Sequence, residues 1–128
     1  MKNDAAPNRP RLLVVDDEQV IRELLRRHLT SLGYAVVTAE SGEEALSEAP
    51  RFRPALVFLD IKMPGMGGLE CLKQLRRLFP DIQVVMLTAV LERESVVNAV
   101  DIGAQEYLFK PVDLATVTQV LKRLLPTP

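Results

Sequence analysis

Cys71 is the only cysteine in 128 residues, so no internal disulfide can form, and a single histidine leaves no Cys/His spacing that would build a zinc site. No apolar run approaches the roughly 20 residues that a membrane-spanning helix needs. The opening stretch from Met1 to Pro10 lacks the apolar centre of a signal peptide. Charge of one sign is not in excess either. Sixteen Lys and Arg are interleaved with seventeen Asp and Glu, for a formal net charge of -1. Such a balance supplies no general pull toward nucleic acid or an anionic membrane, so neither is an expected partner. A cytoplasmic location is the simplest expectation. What is present is 48% apolar and 26% charged residues, an ordinary globular mixture at a length that suits one domain.

Strand and helix patterns alternate along the chain. Residues 1–10 are polar with two prolines and are expected to be a disordered lead-in; 11–125 are expected to form the domain, and 126–128 a tail or the start of a linker. Leu12 to Val15 is a short apolar strand. Val20, Ile21, Leu24, Leu25 and Leu29 then recur at helical spacing up to Gly33. Tyr34 to Ala39 is the second strand, and Ser41-Gly-Glu-Glu44 opens a helix with the pattern of a capping box. Arg53-Pro54 is expected to break that helix before a third strand, Ala55 to Leu59. The loop from Lys62 to Gly68 leads into a helix carrying Leu69, Leu72, Leu75 and Leu78. A fourth strand, Ile82 to Leu87, precedes a helix from Glu92 to Ile102. The fifth strand is Glu106 to Phe109, and the last helix runs from Asp113 to Leu125 with Leu114, Val117, Leu121 and Leu124 on one stripe. Alternation of this kind calls for a parallel sheet covered on both faces. The fold class expected is α/β, a flavodoxin-like three-layer arrangement whose five parallel strands run in the order 2-1-3-4-5.

Asp16 and Asp17 close the first strand, Asp60 the third, and Lys110 the fifth. In a parallel α/β sheet those ends share one edge, and ligands bind outside it. Three acids and an ammonium that are far apart in sequence would meet there. Gathered carboxylates repel one another unless a cation or proton neutralises them, so the cluster suits a metal ion and chemistry on an anion. Taken singly, Asp16 or Asp17 reads as a helix cap, Lys110 as a solvated lysine and Thr88 as a β-branched strand end. Only the coincidence at four strand ends favours function.

With Thr88-Ala89 after the fourth strand and Lys110-Pro111 after the fifth, this set resembles the receiver domain of two-component response regulators. Asp60-Ile-Lys-Met-Pro-Gly-Met-Gly-Gly68 is similar to the family's phosphoacceptor loop, and Gly103-Ala-Gln-Glu-Tyr-Leu-Phe-Lys-Pro111 to its fifth-strand signature. The resemblance covers residues 11 to 125. It implies a phosphorylation-activated signalling switch in which Asp60 accepts a phosphoryl group from a histidine kinase, a phosphotransfer protein or a small phosphodonor. The domain would assist its own phosphorylation and dephosphorylation without being an enzyme in the usual sense.

The same resemblance implies the remaining roles. Mg²⁺, or Mn²⁺, would be held by Asp17, Asp60 and the main-chain carbonyl of Lys62, with Asp16 acting through water; hard oxygen ligands suit such ions. Lys110 would bind a phosphoryl oxygen and, before that, pair with Asp60 and help to keep it ionised, with a cis Lys110-Pro111 bond. Thr88 would donate its hydroxyl, beside a small Ala89. Tyr107 would be the aromatic switch partner of Thr88, and the face made by the fourth helix, fifth strand and fifth helix would carry the signal to an unknown output domain or protein. Phe109 is expected on the same side as Tyr107 if the strand is regular. Val90, Leu91, Val96, Val97 and Val100 add more apolar residues there than one stripe needs. Lys62 and Val90 occupy the positions that tune phosphate lifetime, and because Val90 cannot orient water, slow self-dephosphorylation is expected. His28 reads as a surface helix residue and Cys71 as a packing or semi-exposed thiol.

Three other readings fit less well. A haloacid dehalogenase-type phosphatase needs a second acid where Lys62 stands. A flavin site needs a phosphate loop where Asp16-Asp17-Glu18 would repel phosphate. A non-phosphorylated adaptor would have no use for the complete acceptor set.

Overall fold

The computed structural model describes residues 9–89 and 93–125. Most of the lead-in, the last three residues, Val90, Leu91 and the expected helix start at Glu92 lie outside them. Five strands alternate with five helices: β1 Arg11–Val15, α1 Gln19–Ser31, β2 Ala35–Ala39, α2 Gly42–Phe52, β3 Leu56–Asp60, α3 Gly68–Leu78, β4 Gln83–Thr88, α4 Arg93–Ile102, β5 Glu106–Phe109 and α5 Leu114–Leu124. The strands are parallel and lie in the order β2-β1-β3-β4-β5, as expected.

The apolar strands are buried on both faces because helices cover both. Leu13, Val15, Val57, Leu59, Val84 and Met86 point to one side, where they pack with Ala45 and Ala49 of α2, Cys71, Leu72 and Leu75 of α3, and Val96 and Ala99 of α4. Leu12, Val14, Leu56, Phe58, Val85, Leu87 and Leu108 point to the other, against Leu25 and Leu29 of α1 and Val117, Val120 and Leu121 of α5. Side chains that alternate along a strand thus feed two separate cores, which is why these runs show no polar alternation.

Local signals set the helix ends. Ser41 caps α2, its hydroxyl accepting from the Glu44 N–H at 3.0 Å. Glu44 reaches back one residue farther than a capping box requires and accepts from the Glu40 N–H at 2.7 Å. Helix α2 continues through Pro50 and ends at Arg53, which is left-handed at φ 53°. Gly33 turns the chain out of α1 at φ 101°.

Two expectations need correction at strand ends. The third and fourth strands run one residue beyond Leu59 and Leu87, because Asp60 pairs with Leu87 and Thr88 with Phe109 in the ladder. His28 is half-buried and not simply a surface residue. Its Nε2 lies 2.8 Å from the hydroxyl of Thr118, which itself donates to the Leu114 carbonyl. Helices α1 and α5 are joined there by a polar contact between residues far apart in the chain. Cys71 is fully buried, with its thiol pushed up to about 12, first by burial and then by the charge of Glu43.

Candidate functional site

At the carboxyl edge of the sheet, β1 and β3 are neighbours whose following helices lie on opposite faces, so the chain parts there and leaves a crevice. A cavity of about 200 Å³ fills it, lined by Asp17, Glu18, Asp60, Ile61, Lys62, Thr88, Ala89 and Lys110. Carboxylate oxygens of Asp16, Asp17 and Asp60 lie within 4.8 Å of one another. All four residues expected to converge do so.

Asp16 is the most tightly built in. Its N–H continues the ladder to the Ala39 carbonyl at 3.1 Å, and its Oδ1 accepts from the Glu18 N–H at 2.9 Å. Its own carbonyl accepts from Arg22 Nη1 at 2.7 Å. Oδ2 is buried without a hydrogen-bond partner. The ammonium of Lys110 stands 3.0 Å from it as an ionic contact off the hydrogen-bonding line. Asp17, the next residue, is exposed to the crevice.

Lys110 sits closer to Asp16 than to Asp60, which is 3.4 Å away, and Glu18 lies at 3.9 Å. Burial by itself would lower the lysine; contact with Asp16 and the charges of Asp60, Asp16 and Glu18 outweigh it and raise it. Asp60 moves the opposite way to the expectation that Lys110 keeps it ionised. Its carboxyl is pushed up to about 7, foremost by burial and then by the charge of Asp16, with Asp17 adding to the rise and Lys110 only partly opposing it. One ammonium shared among several carboxylates does not neutralise the buried one.

The hydroxyl of Thr88, buried at the end of β4, donates to the Ala89 carbonyl at 3.1 Å. Ala89 is exposed at the cavity rim and Lys62 lines its wall. The Lys110-Pro111 bond is cis. Tyr107 is partly exposed and meets Phe109 edge to face, with ring centroids 5.4 Å apart. Both rings are on the outer side of β5 and Leu108 is buried, so the strand is regular. Of the apolar excess on α4, Val96 is core, whereas Val97 and Val100 are solvent-facing; Val90 and Leu91 lie outside the described residues. The sequence placed Glu18 only in an acidic run and gave no role to Arg22. Glu18 follows the acidic pair directly and only the fold turns it toward Lys110. Arg22 is one turn along α1 and looks like any exposed helix arginine.

Three carboxylates, one of which keeps a buried oxygen without a hydrogen-bond partner, form a hard, anionic donor set, which fits a small divalent cation. No helix among the described residues is long and apolar enough to cross a membrane.

A profile of the response regulator receiver domain matches residues 12–122. The response regulator MprA of Mycolicibacterium vanbaalenii is 43% identical over 118 residues, covering 90% of this chain and 50% of that protein. Sporulation initiation phosphotransferase F of Bacillus subtilis is 35% identical, covering 91% of this chain and 94% of that protein. The crystal structure of the receiver domain of NtrX from Brucella abortus superposes with a TM-score of 0.86 at 34% identity, covering 91% of this chain and 99% of that one. The chain spans about half the length of MprA and 48% of the Bacillus regulator PhoP, which it also resembles. Matched across nearly all its described length in sequence and in fold, the chain belongs to the response regulator receiver domain family.

Proposed function

We propose that residues 11–125 act as a phosphorylation-activated switch in which Asp60 is the phosphoacceptor. The observation that carries this reading is the meeting of Asp16, Asp17 and Asp60 beside Lys110 at one rim. An oxygen of the Asp60 carboxylate attacks phosphorus in line. A new O–P bond forms as the bond from phosphorus to the donor breaks, and the donor leaves with that electron pair. Asp17, Asp60 and the Lys62 carbonyl would hold Mg²⁺ or Mn²⁺, with Asp16 acting through water. When bound, the ion supplies positive charge that neutralises the acids and the incoming phosphoryl oxygens. Lys110 takes one phosphoryl oxygen as a point charge, and Thr88 donates its hydroxyl to another.

The donor is a histidine kinase or phosphotransfer protein in the cytoplasm, and the receiver of the signal is an output domain or a separate protein. Tyr107 and the α4-β5-α5 face answer to Thr88, since a phosphoryl group adds nearly two negative charges at the rim. A non-phosphorylated adaptor is the alternative.

Incubation with acetyl phosphate and Mg²⁺ tests the reading. The protein is expected to gain one acid-stable, base-labile phosphoryl group by mass, and Asp60→Asn to gain none. Undiminished labelling of that variant would refute Asp60 as acceptor. The mark itself is expected to be long-lived, because the apolar Val90 cannot orient a hydrolytic water. Replacing Val90 by Glu and Lys62 by Asn together should shorten its half-life about tenfold, less than the roughly 100-fold or more that a full general base contributes. An unchanged half-life removes the tuning role from both residues.

A further inference from the structure

Among the contacts of the acceptor loop between Asp60 and α3, two fix its base and its far side, and only the first lies within the loop itself. Its base is closed by the Gly68 N–H donating to the Ile61 carbonyl at 2.7 Å. Its far side is held by α2. Oε2 of Glu43, in the first turn of that helix, accepts from the Met66 N–H at 3.2 Å. The same carboxylate would stand 3.0 Å from a Cβ placed on Gly65, a residue at φ +73°. The neighbouring Gly42 fits against Met66 so closely that a Cβ there would meet its Sδ at 3.1 Å and its carbonyl at 3.2 Å. Behind this contact the Cys71 thiol points to the Gly42 carbonyl at 3.9 Å. Lys62, whose carbonyl would bind the cation in the proposed site, lies between the two anchor points.

We propose that Glu43 is a positioning residue for the acceptor loop: by capping the Met66 N–H it holds the backbone between Asp60 and Gly68, and with it the Lys62 carbonyl, in the geometry that a divalent cation needs. Glu43 is exposed and touches neither the cavity wall nor the acidic cluster. Its influence on the cation therefore passes through the loop. The inference rests on the phosphoacceptor reading and deepens it. A backbone carbonyl cannot reorient by rotating a side chain, so a ligand of this type depends on whatever fixes its peptide plane. A loop with glycines at 65, 67 and 68 has little stiffness of its own, and an outside anchor supplies what the chain lacks. Partners that orient a ligand without touching the ion commonly change metal affinity by about 10-fold or more.

The test is Mg²⁺ titration of the whole chain by calorimetry, with the amide signals of Gly65 and Met66 followed by NMR. Glu43→Ala is expected to weaken Mg²⁺ binding about tenfold and to shift both amides before any cation is added. Glu43→Gln keeps an oxygen that accepts from Met66 and is expected to bind within about twofold of the parent. Glu43→Asp keeps the charge but is one methylene too short, and is expected to behave like Glu43→Ala. The opposite pattern, with Asp restoring affinity and Gln not, would show a simple long-range charge effect and overturn the inference. So would Glu43→Ala binding Mg²⁺ as tightly as the parent. A parent protein that binds no Mg²⁺ at all overturns the phosphoacceptor reading, and this inference with it. Thermal unfolding of the Gln and Asp variants separates a fold defect, which lowers both alike, from the ordered loss of affinity described.

Discussion

Asp60→Asn is expected to stabilise the chelator-treated protein by about 2–4 kcal/mol at pH 8 and to leave it nearly unchanged at pH 4. The sign follows from proton counting. The folded carboxyl is pushed up to about 7 from an ordinary value of 3.8, so between those limits the folded state keeps a proton that the unfolded chain has released. Stability then falls with rising pH across that window. Asp60's favourable contribution is intact below about 4 and is gone once the pH has climbed through about 7. A shift of about 3 units at roughly 1.4 kcal/mol each sets the upper end, and sharing of Lys110 with Asp16 reduces it. Asparagine has nothing to ionise, so it removes the penalty. Urea unfolding of both proteins at pH 4, 6 and 8 in EDTA measures the effect. Parallel stability curves would show that Asp60 is not held in an unfavourable charged state. Adding Mg²⁺ at pH 8 should close most of the gap, since an ion that binds only the folded parent stabilises it by mass action.

Gly68→Ala is expected to cost about 3 kcal/mol or more and to slow phosphoryl labelling of whatever protein still folds. A Cβ at this position would lie 2.1 Å from the Asp60 carbonyl oxygen and 2.7 Å from the Ile61 Cα. Both are backbone atoms of β3 and its exit, so no side-chain rotation relieves the overlap. Inserting atoms into a packed site usually costs about 1–3 kcal/mol, and more where the backbone must move. Here the backbone that moves carries Asp60. The 2.7 Å bond from the Gly68 N–H to the Ile61 carbonyl would stretch with it. Gly67→Ala is the control, because its Cβ would stand 3.6 Å from the Ile61 carbonyl, an ordinary contact. Equal stability and labelling of the two variants would mean that the loop is far softer than this packing requires.

Much of this site was legible before any coordinates. Fully apolar strands ending in Asp, Asp and Lys announce a parallel sheet with a charged edge, because only a two-sided core tolerates such runs. The boundaries at Asp60 and Thr88 were missed by one residue for a related reason. Polar residues look like strand terminators, yet both still pair in the ladder and are buried. The direction in which Asp60 titrates was not legible at all. Burial is its foremost cause and the charge of Asp16 the next, with Lys110 only partly opposing them, and the fold alone sets those depths and distances. The link from His28 to Thr118 spans ninety positions, and neither residue's neighbours hint at it. Glu43 was visible only as a first-turn acid that suits a helix N-terminus. Its second role appears once Met66 is seen beside it.

The hydroxyl of Thr88 carries a single proton, and at rest that proton is already given to the carbonyl of the next residue. Any visitor to the crevice must outbid this partner. Surrendering such a bond costs about 1 kcal/mol, a handicap of roughly fivefold in equilibrium terms. A freely diffusing anion would also have to give up its own freedom, whereas a phosphoryl group covalently seated on Asp60, as proposed above, would already be held beside Thr88. On the proposed phosphoacceptor reading, this bond would set a modest threshold of about that size, which a phosphoryl fixed on Asp60 would cross more readily than a freely diffusing anion.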